Sequence, residues 1–260
     1  MRRLVNLSYN RTLIAGYSWA PQSTKDWIVF LPESNADFQT GSRAELKKLI
    51  GTKVASRFNF LAVNKPGIGA RRQDRQAFEA SFRRHYRVAD ALQTMSTVIP
   101  WSDKICLIGY SEGAYLAPEI ARLDPRVIAL AMIGGGTRGW LKEELSNAAT
   151  PREKASVRKK IREIERQKNS TEKWNDFSYA TWHSYREDRT LEALKRLRQP
   201  ALAILGARDR TIDLKSTLSD LKRLAEKKPI HVEVFPKCGH SFNGHWQPVA
   251  QYLAEFLRQP

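Results

Sequence analysis

The stretch Gly109-Tyr110-Ser111-Glu112-Gly113 has residue types and spacing suited to nucleophilic chemistry. It follows an apolar run (Ile105, Cys106, Leu107 and Ile108) and opens an apolar-periodic segment that reaches about Leu123. A serine nucleophile needs an exposed hydroxyl, a sharply bent backbone and N–H groups close to a developing oxyanion. A tight strand-to-helix turn supplies all three. Glycines two residues to either side leave room for the turn and for close helix–strand packing. The N-terminus of the following helix favours the negative charge that forms there. A competing reading is that Ser111 only caps the helix, a position that serine also favours.

Such a serine needs a histidine base, itself oriented by a carboxylate. Ala201-Leu-Ala-Ile-Leu-Gly206-Ala-Arg-Asp209 ends an apolar run with an acid just past a glycine. Val232-Glu-Val-Phe-Pro-Lys-Cys-Gly239-His240 ends the last such run with a histidine just past a glycine. The order Ser111, Asp209, His240 is the one expected of a nucleophile on this kind of turn. Asp213 is the competing acid, but it precedes Leu214-Lys215-Ser216-Thr217 and reads as a helix N-cap. His245, His85, His231 and His183 read as ordinary packed or exposed histidines, with His183 the one that could touch substrate. Cys238 lies beside His240, but no strand-to-helix turn follows it, so a small packing role is expected. Scattered histidines and the absence of HExxH give no metal site, and no dinucleotide fingerprint or P-loop is present. No cofactor is expected.

The elements around these residues alternate. Residues 3–8 and 12–19 read as a hairpin, and Trp27–Leu31 as a strand buried on both faces. A loop at Pro32–Ser42 and a helix at about 43–56 lead to a strand at Phe58–Asn64. A turn follows at Lys65-Pro66-Gly67-Ile68-Gly69, then one basic amphipathic helix at about 75–98. Strands at 104–109, 127–134, 201–206 and 231–235 alternate with helices at 111–123, 213–227 and about 247–258. This alternation predicts an α/β fold: a mostly parallel central sheet with helices on both faces. Residues 137–198 interrupt the rhythm. They are long, charged, helical in pattern and rich in aromatics (Trp140, Trp174, Phe177, Tyr179, Trp182 and Tyr185). They read as a helical cap inserted in a core formed by 1–136 and 199–260. The cap aromatics suggest a substrate with apolar surface, and about half of them are expected to form the cap's own core.

On these residues the chain resembles the α/β-hydrolase fold family of serine hydrolases, over nearly its whole length. Gly109–Gly113 resembles the family's nucleophile elbow, Gly206–Asp209 its acid turn, and Gly239-His240 its histidine loop. Asn64-Lys65-Pro66-Gly67-Ile68-Gly69 is similar to its Pro-Gly-x-Gly turn. The resemblance implies an oxyanion hole made by the N–H of Glu112 and one N–H from the loop after Leu31. By position that donor is Ser34 or Glu33, with Ser34 chosen, because Pro32 has no N–H. The loop reads Leu31-Pro32-Glu33-Ser34-Asn35 where many members carry His-Gly, and an acidic side chain there must point away from an oxyanion. Serine rather than aspartate at the elbow argues against the dehalogenase and epoxide-hydrolase branches.

The expected activity is hydrolysis of a carboxylic ester of a small molecule through an acyl-enzyme. Thioesterase and peptidase or amidase activity use the same machinery. Glu112 beside the nucleophile could meet a substrate amine, which would favour a peptidase. From a different class, a non-catalytic module could use the scaffold's basic surface for binding.

Composition bounds these readings. The chain has 260 residues, with 44 Lys+Arg against 27 Asp+Glu, a net charge of +17. Its 42% hydrophobic content is that of a globular chain rather than a disordered one. Residues 41–60, 71–90 and 141–173 carry +4, +3 and +4, while 91–140 and 231–260 are neutral. The excess is therefore spread over several helices, and no nucleic-acid motif accompanies it, so nucleic acid is not an expected partner. An anionic substrate or surface is the partner the charge would favour. Two cysteines make no disulfide framework, and no apolar run is long enough to span a membrane. The N-terminus starts Met1-Arg2-Arg3 without an apolar signal segment. A cytoplasmic location is expected, with an exported form lacking its leader left open.

Overall fold

The computed structural model describes residues 2–9, 12–19, 24–35, 49–68 and 73–258. Most of the expected loop and helix between 32 and 56 lies outside the described residues, as does Gly69 of the expected turn. The described strands are β1 (Arg2–Tyr9), β2 (Thr12–Trp19), β3 (Asp26–Leu31), β4 (Asn59–Val63), β5 (Lys104–Tyr110), β6 (Val127–Ile133), β7 (Lys173–Trp174), β8 (Phe177–Ser178), β9 (Ala201–Gly206) and β10 (Ile230–Phe235). The helices are α1 (Thr52–Ala55), α2 (Arg75–Ser81), α3 (Arg84–Val98), α4 (Glu112–Leu123), α5 (Trp140–Asn147), α6 (Pro151–Arg166), α7 (Tyr179–Ser184), α8 (Arg189–Arg196), α9 (Leu214–Ala225) and α10 (Trp246–Phe256).

One sheet orders its strands β1-β2-β4-β3-β5-β6-β9-β10. The six from β4 to β10 run parallel, and the β1–β2 hairpin joins at one edge through antiparallel pairing of β2 with β4. Side chains of a strand point alternately to the two faces. Ile105 and Leu107 of β5 therefore enter one buried cluster, with α3, α4 and α9 residues such as Val88, Ile120 and Leu221. Cys106 and Ile108 enter the other, with Val54 of α1 and Val249 and Leu253 of α10. Two apolar faces explain why these strands read as continuous apolar runs.

The single helix expected at 75–98 is two helices. α2 ends at Ser81, and Arg83 is extended (φ −137°, ψ 144°) before α3 begins. Tertiary contacts outweigh helical continuity here. Phe82 is buried, its ring 4.8 Å from Phe78 and 5.7 Å from Phe177. Its carbonyl accepts a hydrogen bond from Thr181 Oγ1 (2.7 Å), and the Arg84 N–H donates to Ser184 Oγ (3.0 Å). Backbone groups freed by the break are thus satisfied by α7.

The segment between β6 and β9 holds α5 to α8, plus a feature that periodicity did not show: the antiparallel pair β7–β8, turned at Asn175 with φ +53°. Leu141, Ile164, Tyr179 and Trp182 form a separate buried cluster there, with Trp140, Trp174 and Phe177 packed on it. Tyr185 stacks on Trp140 at 4.0 Å. Five of the six aromatics singled out in the sequence pack in this cluster, while Tyr185 belongs to the main core cluster with Leu107 and Tyr115. Among the described residues no helix is long and apolar enough to cross a membrane.

Candidate active site

The turn between β5 and α4 puts Ser111 at φ 52°, ψ −115°. A non-glycine residue holds such a conformation only where its surroundings impose it. The surroundings here are contacts too close for any Cβ. One built on Gly109 would lie 2.3 Å from the Gly113 carbonyl oxygen, and one on Gly113 would lie 2.1 Å from that of Leu31. The two glycines therefore let α4 start directly against β5 and against the end of β3. Ser111 occupies the N-cap position, but its side chain makes no capping hydrogen bond. Its Oγ instead lies 2.8 Å from His240 Nε2.

His240 Nδ1 lies 2.8 Å from Asp209 Oδ2. The Asp209 side chain is fully buried, and its Oδ1 accepts the Thr211 N–H at 2.8 Å. The turns carrying these residues are laced together: the Ala207 N–H donates to the Phe235 carbonyl and the Arg208 N–H to that of Cys238. Ser111, Asp209 and His240 thus come together at the carboxyl ends of β5, β9 and β10. Asp213 stands apart from them. It caps α9, accepting from the Ser216 N–H (3.1 Å) and hydroxyl (2.7 Å), and these bonds hold its pKa below the usual value despite its burial.

Glu112 begins α4 directly after Ser111. Its side chain is buried and accepts a hydrogen bond from the Tyr185 hydroxyl, with Arg87 Nε 3.6 Å from Oε1. A carboxylate held inside in this way does not face a substrate, which corrects the idea that it meets an amine. Burial first, and the Glu112 charge second, push the Tyr185 phenol well above its ordinary pKa, so it stays a donor. His183, the histidine considered for substrate contact, lies near Glu165 (3.4 Å) and Arg186 (3.3 Å) in the segment between β6 and β9. Cys238 is buried and reduced, and burial raises its thiol pKa.

Ser34 lies in the bend after β3, beside the carbonyl of Glu33. That carbonyl accepts a hydrogen bond from Lys65 Nζ at 2.7 Å, and Asn35 Oδ1 is 3.3 Å from the same ammonium. The Glu33 carboxylate accepts from the Asn35 side-chain amide. Sequence reasoning used Lys65 only as part of a turn, and nothing local marks a lysine as fully buried. Tyr110 also escaped notice. Its ring stacks near His240 (6.2 Å) with Trp246 against its edge, and burial together with the charges of Glu33 and Asp209 pushes its pKa up to about 12. Among the described residues no group of His, Cys, Asp and Glu is placed to hold a metal ion.

A family model described as the alpha/beta hydrolase family matches residues 37–252. Among solved structures the chain is similar to Est1E from Butyrivibrio proteoclasticus (11% identity, TM-score 0.66, covering 98% of each chain). It is likewise similar to a proline iminopeptidase of Mycobacterium smegmatis (13% identity, TM-score 0.66, covering 100% of this chain and 98% of that one). A thioesterase domain from the curacin biosynthetic pathway matches at 15% identity with TM-score 0.59, covering 99% of each chain. A search of curated protein sequences gives no match.

Proposed function

Because the chain belongs to the alpha/beta hydrolase family, we propose that it is a serine hydrolase that cleaves a carboxylic ester of a small molecule through an acyl-enzyme. The observation that carries this reading is the hydrogen-bonded line from Ser111 Oγ through His240 to the buried Asp209. Ser111 Oγ attacks the acyl carbon as its proton passes to His240 Nε2. The imidazolium gives that proton to the alcohol oxygen as the C–O bond breaks. Water, deprotonated by His240, then attacks the acyl-serine, and the imidazolium returns that proton to Ser111 Oγ as the acyl–Oγ bond breaks and the acid leaves. Asp209 accepts from Nδ1–H, keeps the Nε2 lone pair toward Ser111 and stabilises the imidazolium.

The oxyanion is held by the N–H groups of Glu112 and Ser34. The second assignment is supported by Lys65. In a trans peptide the C=O and the following N–H point in opposite directions. Holding the Glu33 carbonyl on Lys65 therefore turns the Ser34 N–H away from that lysine. Residues 137–198 act as the lid, tied to the elbow through the Tyr185–Glu112 hydrogen bond. Thioesters and amides run through the same chemistry, but the buried Glu112 leaves no elbow carboxylate for a substrate amine, which favours ester or thioester cleavage over that of an amine-bearing peptide.

A fluorophosphonate probe should label the folded wild-type protein on Ser111, and Ser111→Ala should abolish labelling. An unlabelled wild type, or equal labelling of the variant, overturns the assignment. Matched ester, thioester and amino-acid amide substrates should then show the ester turned over fastest.

A further inference from the structure

Away from Ser111, the cap and core border an open cleft of about 240 Å³. Arg83, Arg84 and His85, at the break between α2 and α3, form its core side together with Glu119 of α4. Lys168, past the end of α6, and Arg186 and Arg189, around the start of α8, face them from the cap. Five cations thus face two carboxylates, Glu119 and Glu187. The carboxylates are already engaged: Glu119 by Arg84 at 3.0 Å, and Glu187 by Arg186 and Arg189 at 3.0 Å each, while Glu165, outside the lining, lies 3.9 Å from Arg186. Arg83 and Lys168 have no ion-pair partner among the described residues, and Arg83 Nε is shielded from solvent without an acceptor. The cleft therefore holds an uncompensated positive charge, formed where two basic stretches of the sequence, 71–90 and 141–173, meet.

We infer that this cleft binds a small phosphate-bearing molecule, with the group seated between the Arg83 guanidinium and the Lys168 ammonium. A surplus of two cations, with Glu165 counted, suits a doubly charged anion better than a single carboxylate, and the fork of a guanidinium matches phosphate oxygens. Burial, and then the charges of Arg83 and Arg189, lower the pKa of His85. Burial, then Arg186 and more weakly Lys168, lower that of His183 against the opposing pull of Glu165. Both histidines thus register the same positive field. A ligand here bridges core to cap, so its binding bears on how firmly the cap is held. This inference stands on the cleft alone and does not depend on the chemistry at Ser111.

Inorganic diphosphate titrated calorimetrically at low ionic strength tests it. One saturable site is expected, with affinity lowered about tenfold or more in Arg83→Gln/Lys168→Gln. Lys222→Gln/Lys227→Gln, the same charge change at exposed positions outside the cleft, should stay within about twofold of wild type, by the salt-screened weakness of distant charges. Lys168→Glu, altering one exposed side chain, should weaken binding without disturbing the fold. No saturable binding, or equal weakening in cleft and control variants, overturns the inference. So does Arg83/Lys168-dependent sedimentation with phosphatidylcholine vesicles containing phosphatidic acid when free diphosphate does not bind, since that outcome makes the cleft a lipid-headgroup surface.

Discussion

At the scale of single residues, two aspartates four positions apart make different hydrogen bonds because of what surrounds them. Asp209 reaches His240, whereas Asp213 spends both carboxylate oxygens on Ser216. Asp209→Asn should therefore lower kcat for a p-nitrophenyl ester by several orders of magnitude; the equivalent change in a well-studied serine protease costs about 10⁴. Asp213→Ala should retain kcat and lose about 1 kcal/mol of unfolding free energy in urea, the usual value of a helix N-cap. A large kcat loss in Asp213→Ala with Asp209→Asn unaffected would reverse the assignment. The sequence favoured Asp209 by its position after a strand and read Asp213 as a helix N-cap. The hydrogen bonds that separate their roles join residues 31 apart in one case and 3 apart in the other.

At the scale of elements, the loop after β3 and the turn after β4 are coupled by Lys65. Its ammonium on the Glu33 carbonyl sets the orientation of the next peptide. Lys65→Met should free that peptide and lower kcat about tenfold or more, with KM changed little, since an oxyanion donor acts in the transition state. Fluorophosphonate labelling should slow in parallel. A variant that only melts at lower temperature, with unchanged kcat and labelling rate, would leave Lys65 as packing alone. Helix and strand periodicity was legible for most elements because it reports local burial. The break at Phe82–Arg83 was not, because the groups that replace its helical hydrogen bonds, Thr181 and Ser184, are about 100 residues away in the chain.

At the scale of the whole molecule, buried charge couples stability to pH. Asp90 in α3 has a buried Oδ2 without a hydrogen-bond partner, and burial raises its pKa to about 6 against a smaller opposing effect of Arg87. The folded protein then binds this proton more tightly than the unfolded chain does. Its contribution to stability is greatest below the ordinary carboxylate pKa of about 4, falls as pH rises to about 6, and stays lost above that. Asp90→Asn should accordingly raise stability at pH 7, by at most about 3 kcal/mol. The gain should shrink as the comparison is moved to pH 4. Equal denaturation midpoints for the two proteins at pH 7 would count against the shift. The net charge of +17 is also a property of the whole. Composition located its excess in separate stretches, and folding brings Arg83 and Lys168 into the lining of one cleft.

By itself, the sequence determined the parallel sheet, the sharp turn at Ser111 and the chain order of Ser111, Asp209 and His240. These follow from apolar runs, glycine spacing and turn chemistry, all local properties of a few consecutive residues. Tertiary structure alone decided which side chains meet. It turned Glu112 inward to Tyr185 and Arg87, buried Lys65 against the Glu33 carbonyl, and drew Ser111 and His240 together across 129 positions. The physical reason is that a hydrogen bond between distant residues depends on strand order and on the approach of α4 to β3. Gly113 permits that approach, but the packing of the assembled sheet, which no local stretch of residues encodes, brings Leu31 there.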